Sequence, residues 1–119
     1  YNVTVINRTN GGFGQINGYD FDTHAWMSKE SADVDIYINE QAIIFPGGYQ
    51  ALESRIEEIT TAPVDGYNQT TLALGDSQNI NRRILIKTTD GKYVKTALAF
   101  YGTNYVGFSY LVSNGGFDY

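Results

Sequence analysis

Hydrophobic and polar residues alternate along several short stretches of the chain, a period of two that predicts β-strands. In "ADVDIYINEQAIIFPGG", residues 32–48, Val34, Ile36 and Ile38 fall on one face and Asp33, Asp35, Tyr37 and Asn39 on the other. The aliphatic face is expected to be buried. The second face is expected to meet solvent or a ligand, with Asn39 closing it where the strand gives way to a loop. "YNVTVIN" alternates Val3 and Val5 with polar neighbours, and "RTNGGFG" then interrupts the pattern as a glycine loop. "INGYDFDTHAW" holds room for a strand around Tyr19 and Phe21. "RRILIKTTDGKYVKTALAFYG" has two strand-like runs joined at Asp90-Gly91, a dipeptide suited to the positive φ of tight hairpin turns. "NYVGFSYLVS" follows, with Val106, Phe108, Tyr110 and Val112 on one face, and completes a three-stranded meander.

One segment has a different period. In "YQALESRIEEIT", Leu52, Ile56 and Ile59 recur at i, i+4 and i+7, which is helical spacing. A helix this short is unstable alone and has to dock on the sheet. Pro63 and Asp65-Gly66 end it. No internal repeat or linker divides the chain. The expected fold is a single all-β domain over residues 1–119, mainly antiparallel, as a sandwich or a curled sheet, with at most one short helix near residues 51–59.

Composition narrows the function more than it names it. At 119 residues the chain can bury one core without covalent staples. Eight Lys and Arg stand against 13 Asp and Glu, so nucleic acid and anionic lipid are poor partners for it. No apolar run approaches membrane-spanning length. The absence of cysteine removes disulfides, thiolate nucleophiles and thiolate metal sites. The chain starts at Tyr1 with no initiator Met and no signal-peptide pattern, so a processed or trimmed form is expected.

Candidate chemistry is sparse. No Gly-x-Ser-x-Gly elbow accompanies the single His, and the glycines of "TNGGFGQ" lack the Gly-Lys-Ser/Thr ending of a phosphate loop. Asp20 and Asp22, like Asp33 and Asp35, are two apart and so share a strand face. Such pairs can ligate calcium or act as acid and base, but the calcium-loop signature is missing and solvated aspartates are ordinary on outer faces. No catalytic and no metal site is expected. "DTHAWMSK" brings the only His, Trp and Met together as His24, Trp26 and Met27. Either His24 or Met27 could reach a haem iron, yet side chains three apart cannot easily clamp its two opposite faces.

Several segments, in order, resemble the HmuY-type haem-binding lipoproteins of Bacteroidetes-like bacteria. "GYDFDTHAWMSKESADVDIYI" is similar to that family's "F-x-F-x-T-G" strand followed by "D-W-D-I-A-F". "ADVDIYINEQAIIFPGG" is similar to its continuation into a Gly-Gly loop. "IEEITTAPVDGYNQ" resembles its "V-T-E-A-P-x-D-G-Y" connection, and "ILIKTTDGKYVKTALAFYGTNYVGFSYLV" its closing meander with "R-T-A-D-G-K-Y-A-K". The resemblance spans about residues 19–112. It implies an exported or outer-membrane-anchored all-β domain that captures haem and hands it to a receptor.

Carried over by position, the family's first axial ligand falls on Asn39, where an amide stands in place of histidine. The second belongs between Pro63 and Ile84, where Tyr67 is the only residue of a ligating type. Val34 replaces the motif's Trp, and Arg82-Arg83 is the only adjacent basic pair available for haem propionates. The resemblance therefore implies a non-catalytic binding domain with altered or lost haem ligation. The alternative is a surface module for glycan or protein, using Tyr, Trp and Asn side chains. Tyrosines clustered in the open near Trp26 would favour that second class, and tyrosines spread through the core would not. The candidate ligand-binding residues are His24, Trp26, Met27, Tyr37, Asn39 and Tyr67.

Overall fold

The structure, a computed structural model, describes residues 2–7, 17–39, 42–73, 82–101, 105–114 and 116–119. The "RTNGGFG" loop expected after the first strand, residues 8–14, lies outside them. Among the described residues the strands are β1 Asn2–Asn7, β2 Gly18–Asp20, β3 Ala25–Met27, β4 Ile36–Ile38, β5 Ala42–Ala51, β6 Gln69–Ala73, β7 Arg83–Lys87, β8 Tyr93–Tyr101 and β9 Tyr105–Val112. They form one antiparallel sheet in the order β1-β9-β8-β7-β5-β4-β2-β3, with β6 alongside β5. The all-β expectation holds.

The sheet curls because β5 changes partners along its length. Residues Ile43 and Ile44 pair with β4, whereas Tyr49 to Ala51 pair with β7. Between them the register with β6 breaks, from Ile44 to Tyr49, across Pro46-Gly47-Gly48. Proline and glycine are tolerated in strands at such irregularities. Gly48 has φ +90, and a Cβ there would run into the Tyr67 carbonyl. The two halves of the sheet thereby turn their inner faces towards each other.

Between those faces lies one core. Ile36, Ile38, Ile43 and Phe45 come from one half, and Ile84, Ile86, Val94, Leu98, Val106, Phe108 and Tyr110 from the other. Each fully buried aliphatic or aromatic side chain contributes about 1.5–3 kcal/mol against exposure. The strict alternation of Val106, Phe108 and Tyr110 on β9 is read out as burial. At the β7–β8 hairpin Gly91 has φ +85, the conformation expected of the Asp-Gly turn.

The helical spacing around residues 51–59 produces only a single 3-10 turn, Ile56–Glu58. Strand pairing runs into the segment from its start: β5 stays extended through Ala51, opposite Ile84, and Leu52 N donates to Arg83 O. Beyond the turn, Ala62 N donates to Phe117 O and Tyr119 N to Thr60 O. Ile56 is buried all the same, and Lys95 on β8 donates its Nζ to Ile59 O at 2.7 Å. The segment is thus held against β8 as an extended strap. No helix of the described residues is long and apolar enough to cross a membrane.

Candidate functional site

The β2–β3 connection, Phe21 to His24, concentrates most of the chemistry. Asp20 shapes it: its Oδ1 accepts from Asp22 N at 2.9 Å and its Oδ2 from Thr23 Oγ1 at 2.9 Å, a local turn typical of aspartate. Phe21 drops its ring into the core, edge-on to Phe108 and Tyr110. His24 closes the turn with φ 56, a left-handed conformation uncommon outside glycine.

His24 is exposed, yet its ring is held. Nδ1 lies 2.7 Å from the Tyr110 hydroxyl, and the two rings stack with an interplanar angle of 24°. The Tyr110 hydroxyl in turn lies 2.6 Å from that of Tyr19. Burial pushes the Tyr110 phenol far up, with the Tyr19 hydroxyl adding to the shift, so the Tyr110 phenol stays protonated. Nε2 of His24 has no partner among the described residues. Trp26, 45% exposed, sits opposite Tyr19 in the β2–β3 register and meets its ring edge-on at 6.0 Å. Two exposed rings therefore rest on one buried tyrosine pair.

The other sequence candidates lie elsewhere. Met27 and Tyr37 both pair with Gly18, one register step from the Tyr19–Trp26 pair, and so belong to the opposite sheet face. Both are half-buried. Asn39 is exposed in the β4–β5 turn, where its N donates to Ala42 O at 2.8 Å. Tyr67 packs near Gly48 and Tyr93 and donates its hydroxyl to Pro63 O at 3.0 Å. Ala42 and Gly48 are six residues apart on β5, on the order of 20 Å of strand, so Asn39 and Tyr67 do not converge on one ligand. Burial also pushes the Tyr67 phenol up to about 12, away from the phenolate that iron would require. The part of the expected ligand region at residues 74–81 lies outside the described residues.

The described tyrosines are mostly core. Tyr19, Tyr49, Tyr93 and Tyr110 are buried, Tyr37, Tyr67 and Tyr119 half-buried, and no described tyrosine side chain is exposed. A groove lined by Gly47, Asp65, Gly66, Tyr67, Asn68 and Lys87 has a volume near 210 Å³, below the roughly 300–1,000 Å³ of small-molecule pockets.

A second arrangement was not legible in the chain. Asp35, expected on a solvent-facing strand face, is fully buried just before β4. Its Oδ2 accepts from Phe21 N and its Oδ1 from Thr89 N, both at 2.8 Å. These bonds pin the β2–β3 turn to the β7–β8 hairpin. Burial pushes the Asp35 carboxyl up to about 7; the two backbone bonds oppose the shift, and the Asp20 and Asp22 carboxylates reinforce it. Burial raises Asp22 as well. Asp20, Asp22 and Asp35 each present an oxygen within 4.8 Å of the others. The sequence spacing paired Asp20 with Asp22 and Asp35 with Asp33, but nothing in it joined Asp35 to the first pair, because its partners are 14 and 54 residues away.

Comparison with protein-family models, with curated proteins and with solved structures finds no match to this chain.

Proposed function

We propose that the chain is a non-catalytic binding domain on an HmuY-like plan, exported as that resemblance implies, which takes a planar, metal-bearing ligand such as haem at the β3 edge. His24 would hold the metal through Nε2, and Trp26 would offer a stacking face. The observation that carries this reading is the fixed imidazole: a phenol holds Nδ1, which orients the ring and leaves Nε2 open. Metal-bound histidines characteristically have their other ring nitrogen bonded in this way. When bound, haem would supply the iron; the chain supplies orientation through Tyr110 and Tyr19. The edge is open to solvent, so the ligand would be held as cargo and passed on. Among the described residues no tyrosine is exposed, so the exposed aromatic surface open to a glycan is confined to Trp26 and Phe117.

The test is a haemin titration followed by visible absorption, with His24→Gly, Trp26→Ala and Met27→Ala beside the unaltered chain. Glycine accepts the left-handed backbone at residue 24 without strain. A shifted, saturable Soret band that disappears with His24→Gly and persists with Met27→Ala is the expected result. A titration indistinguishable from free haemin would sink the haem reading and direct the search to sugars or proteins that pack on Trp26.

A further inference from the structure

The carboxyl cluster beneath the β2–β3 turn contains an oxygen that the chain itself does not satisfy. Asp22 Oδ1 accepts from Thr88 Oγ1 at 3.1 Å and faces Lys92 Nζ at 4.0 Å. Its Oδ2 is shut off from solvent and has no hydrogen-bond partner, in a side chain only 4% exposed. A buried acceptor left unpaired costs free energy and is rare in folded proteins. Each oxygen of Asp20 and Asp35 has one donor, from Asp22 N, Thr23 Oγ1, Phe21 N or Thr89 N, and keeps further acceptor capacity.

Charge points the same way as the orphan oxygen. Three carboxyl groups crowd together with one ammonium, that of Lys92, facing Asp22, and a divalent cation would offset their mutual repulsion. Oxygen-only ligands suit a hard cation, and calcium, with its flexible geometry and ligands at about 2.3–2.6 Å, accommodates three oxygens that lie within 4.8 Å of one another.

We infer that Asp20, Asp22 and Asp35 form a calcium site, with Asp22 Oδ2 as the ligand the fold leaves free and water completing the shell. A bound ion joins the end of β2, the turn carrying His24 and the segment before β4. It braces the turn from beneath and does not depend on what binds above it.

The experiment starts from the chain dialysed against a chelator and then titrated with calcium chloride or magnesium chloride, following heat by calorimetry and unfolding by circular dichroism. The expected result is one calcium per chain, a melting temperature that rises and saturates with calcium, and magnesium binding weaker by at least about tenfold. Asp22→Asn keeps an acceptor for Thr88 and should fold, yet lose calcium affinity by at least about tenfold, while Asp33→Asn, at an exposed aspartate outside the cluster, should leave it unchanged. No heat and no thermal shift at millimolar calcium in the unaltered chain would overturn the site, whatever the variants do. So would binding that survives Asp22→Asn, or binding lost equally with Asp33→Asn.

Discussion

The hydroxyl oxygens of Tyr19 and Tyr110 lie 2.6 Å apart across the interior of the curled sheet. The bond joins β2 to β9, strands at opposite ends of the hydrogen-bonded order apart from one neighbour each. Closure of the curl is therefore specified by a polar contact inside an aromatic cluster, where Tyr19 also meets Phe21, Phe108 and Tyr110 edge-on.

Removing either hydroxyl should be costly, but unequally. Tyr110→Phe strands the Tyr19 hydroxyl in the core and releases His24, whereas Tyr19→Phe leaves Tyr110 bonded to His24. Urea unfolding should show a loss of about 1–3 kcal/mol for Tyr110→Phe and less for Tyr19→Phe. The double variant should lose less than the sum, because the second change removes an already orphaned group. Strict additivity would mean the two hydroxyls do not depend on each other.

Much of this fold is written in local pattern. The alternation of Val106, Phe108 and Tyr110 and the Asp90-Gly91 turn define the β7–β9 meander, because each is decided by neighbours within a few residues. Asp35 is not of that kind. Its alternation with Ile36 says solvent, while its bonds to Phe21 and Thr89 form only once distant turns have met. The helical spacing of Leu52, Ile56 and Ile59 is likewise overridden by strand pairing at its start, where Leu52 meets Arg83. At the candidate site, the closeness of His24 and Trp26 was visible in the sequence. The tyrosine pair supporting them was not, since 91 residues separate its members.

His24 offers a way to separate backbone strain from side-chain function. A left-handed φ costs an ordinary residue about 1–2 kcal/mol relative to glycine, and φ here is 56. His24→Gly should thus be more stable than His24→Ala by about 1 kcal/mol, since both lose the bond to Tyr110 and only one loses the strain. Thermal unfolding of the pair decides it. Equal stability would show that the turn relaxes once the imidazole is gone.

Asp35 should make stability fall as pH rises. Its carboxyl titrates near 7 in the folded chain against 3.8 as the ordinary value. Between those limits the folded state holds a proton that the unfolded state has released, so stability declines from about pH 4 to about pH 7 and this contribution levels off above. Asp22, raised in the same direction, adds to the slope. The measurement is chemical unfolding across that range in chelator-containing buffer. Asp35→Asn should flatten the decline while lowering stability throughout, because an amide nitrogen then faces Phe21 N or Thr89 N. A profile that rises over the same window would contradict the buried, protonated carboxyl.

The bulge of β5 should be less forgiving than the β7–β8 turn, although both use a glycine with positive φ. Gly91 has φ +85, and a Cβ there meets nothing within 4 Å, so Gly91→Ala carries backbone strain alone, about 1–2 kcal/mol. Gly48 has φ +90, and its Cβ would collide with the carbonyl of Tyr67, a backbone atom that cannot rotate away. Gly48→Ala should therefore lose more than Gly91→Ala in the same unfolding assay, with the excess reporting the collision. Because Gly48 lies where β5 passes from β4 to β7, that loss should come with disturbed packing of Tyr67 on Tyr93, visible as a change in near-ultraviolet circular dichroism. Equal losses for the two variants would show that the strand yields at Pro46-Gly47 instead, and that the curl of the sheet does not depend on the close approach at Gly48.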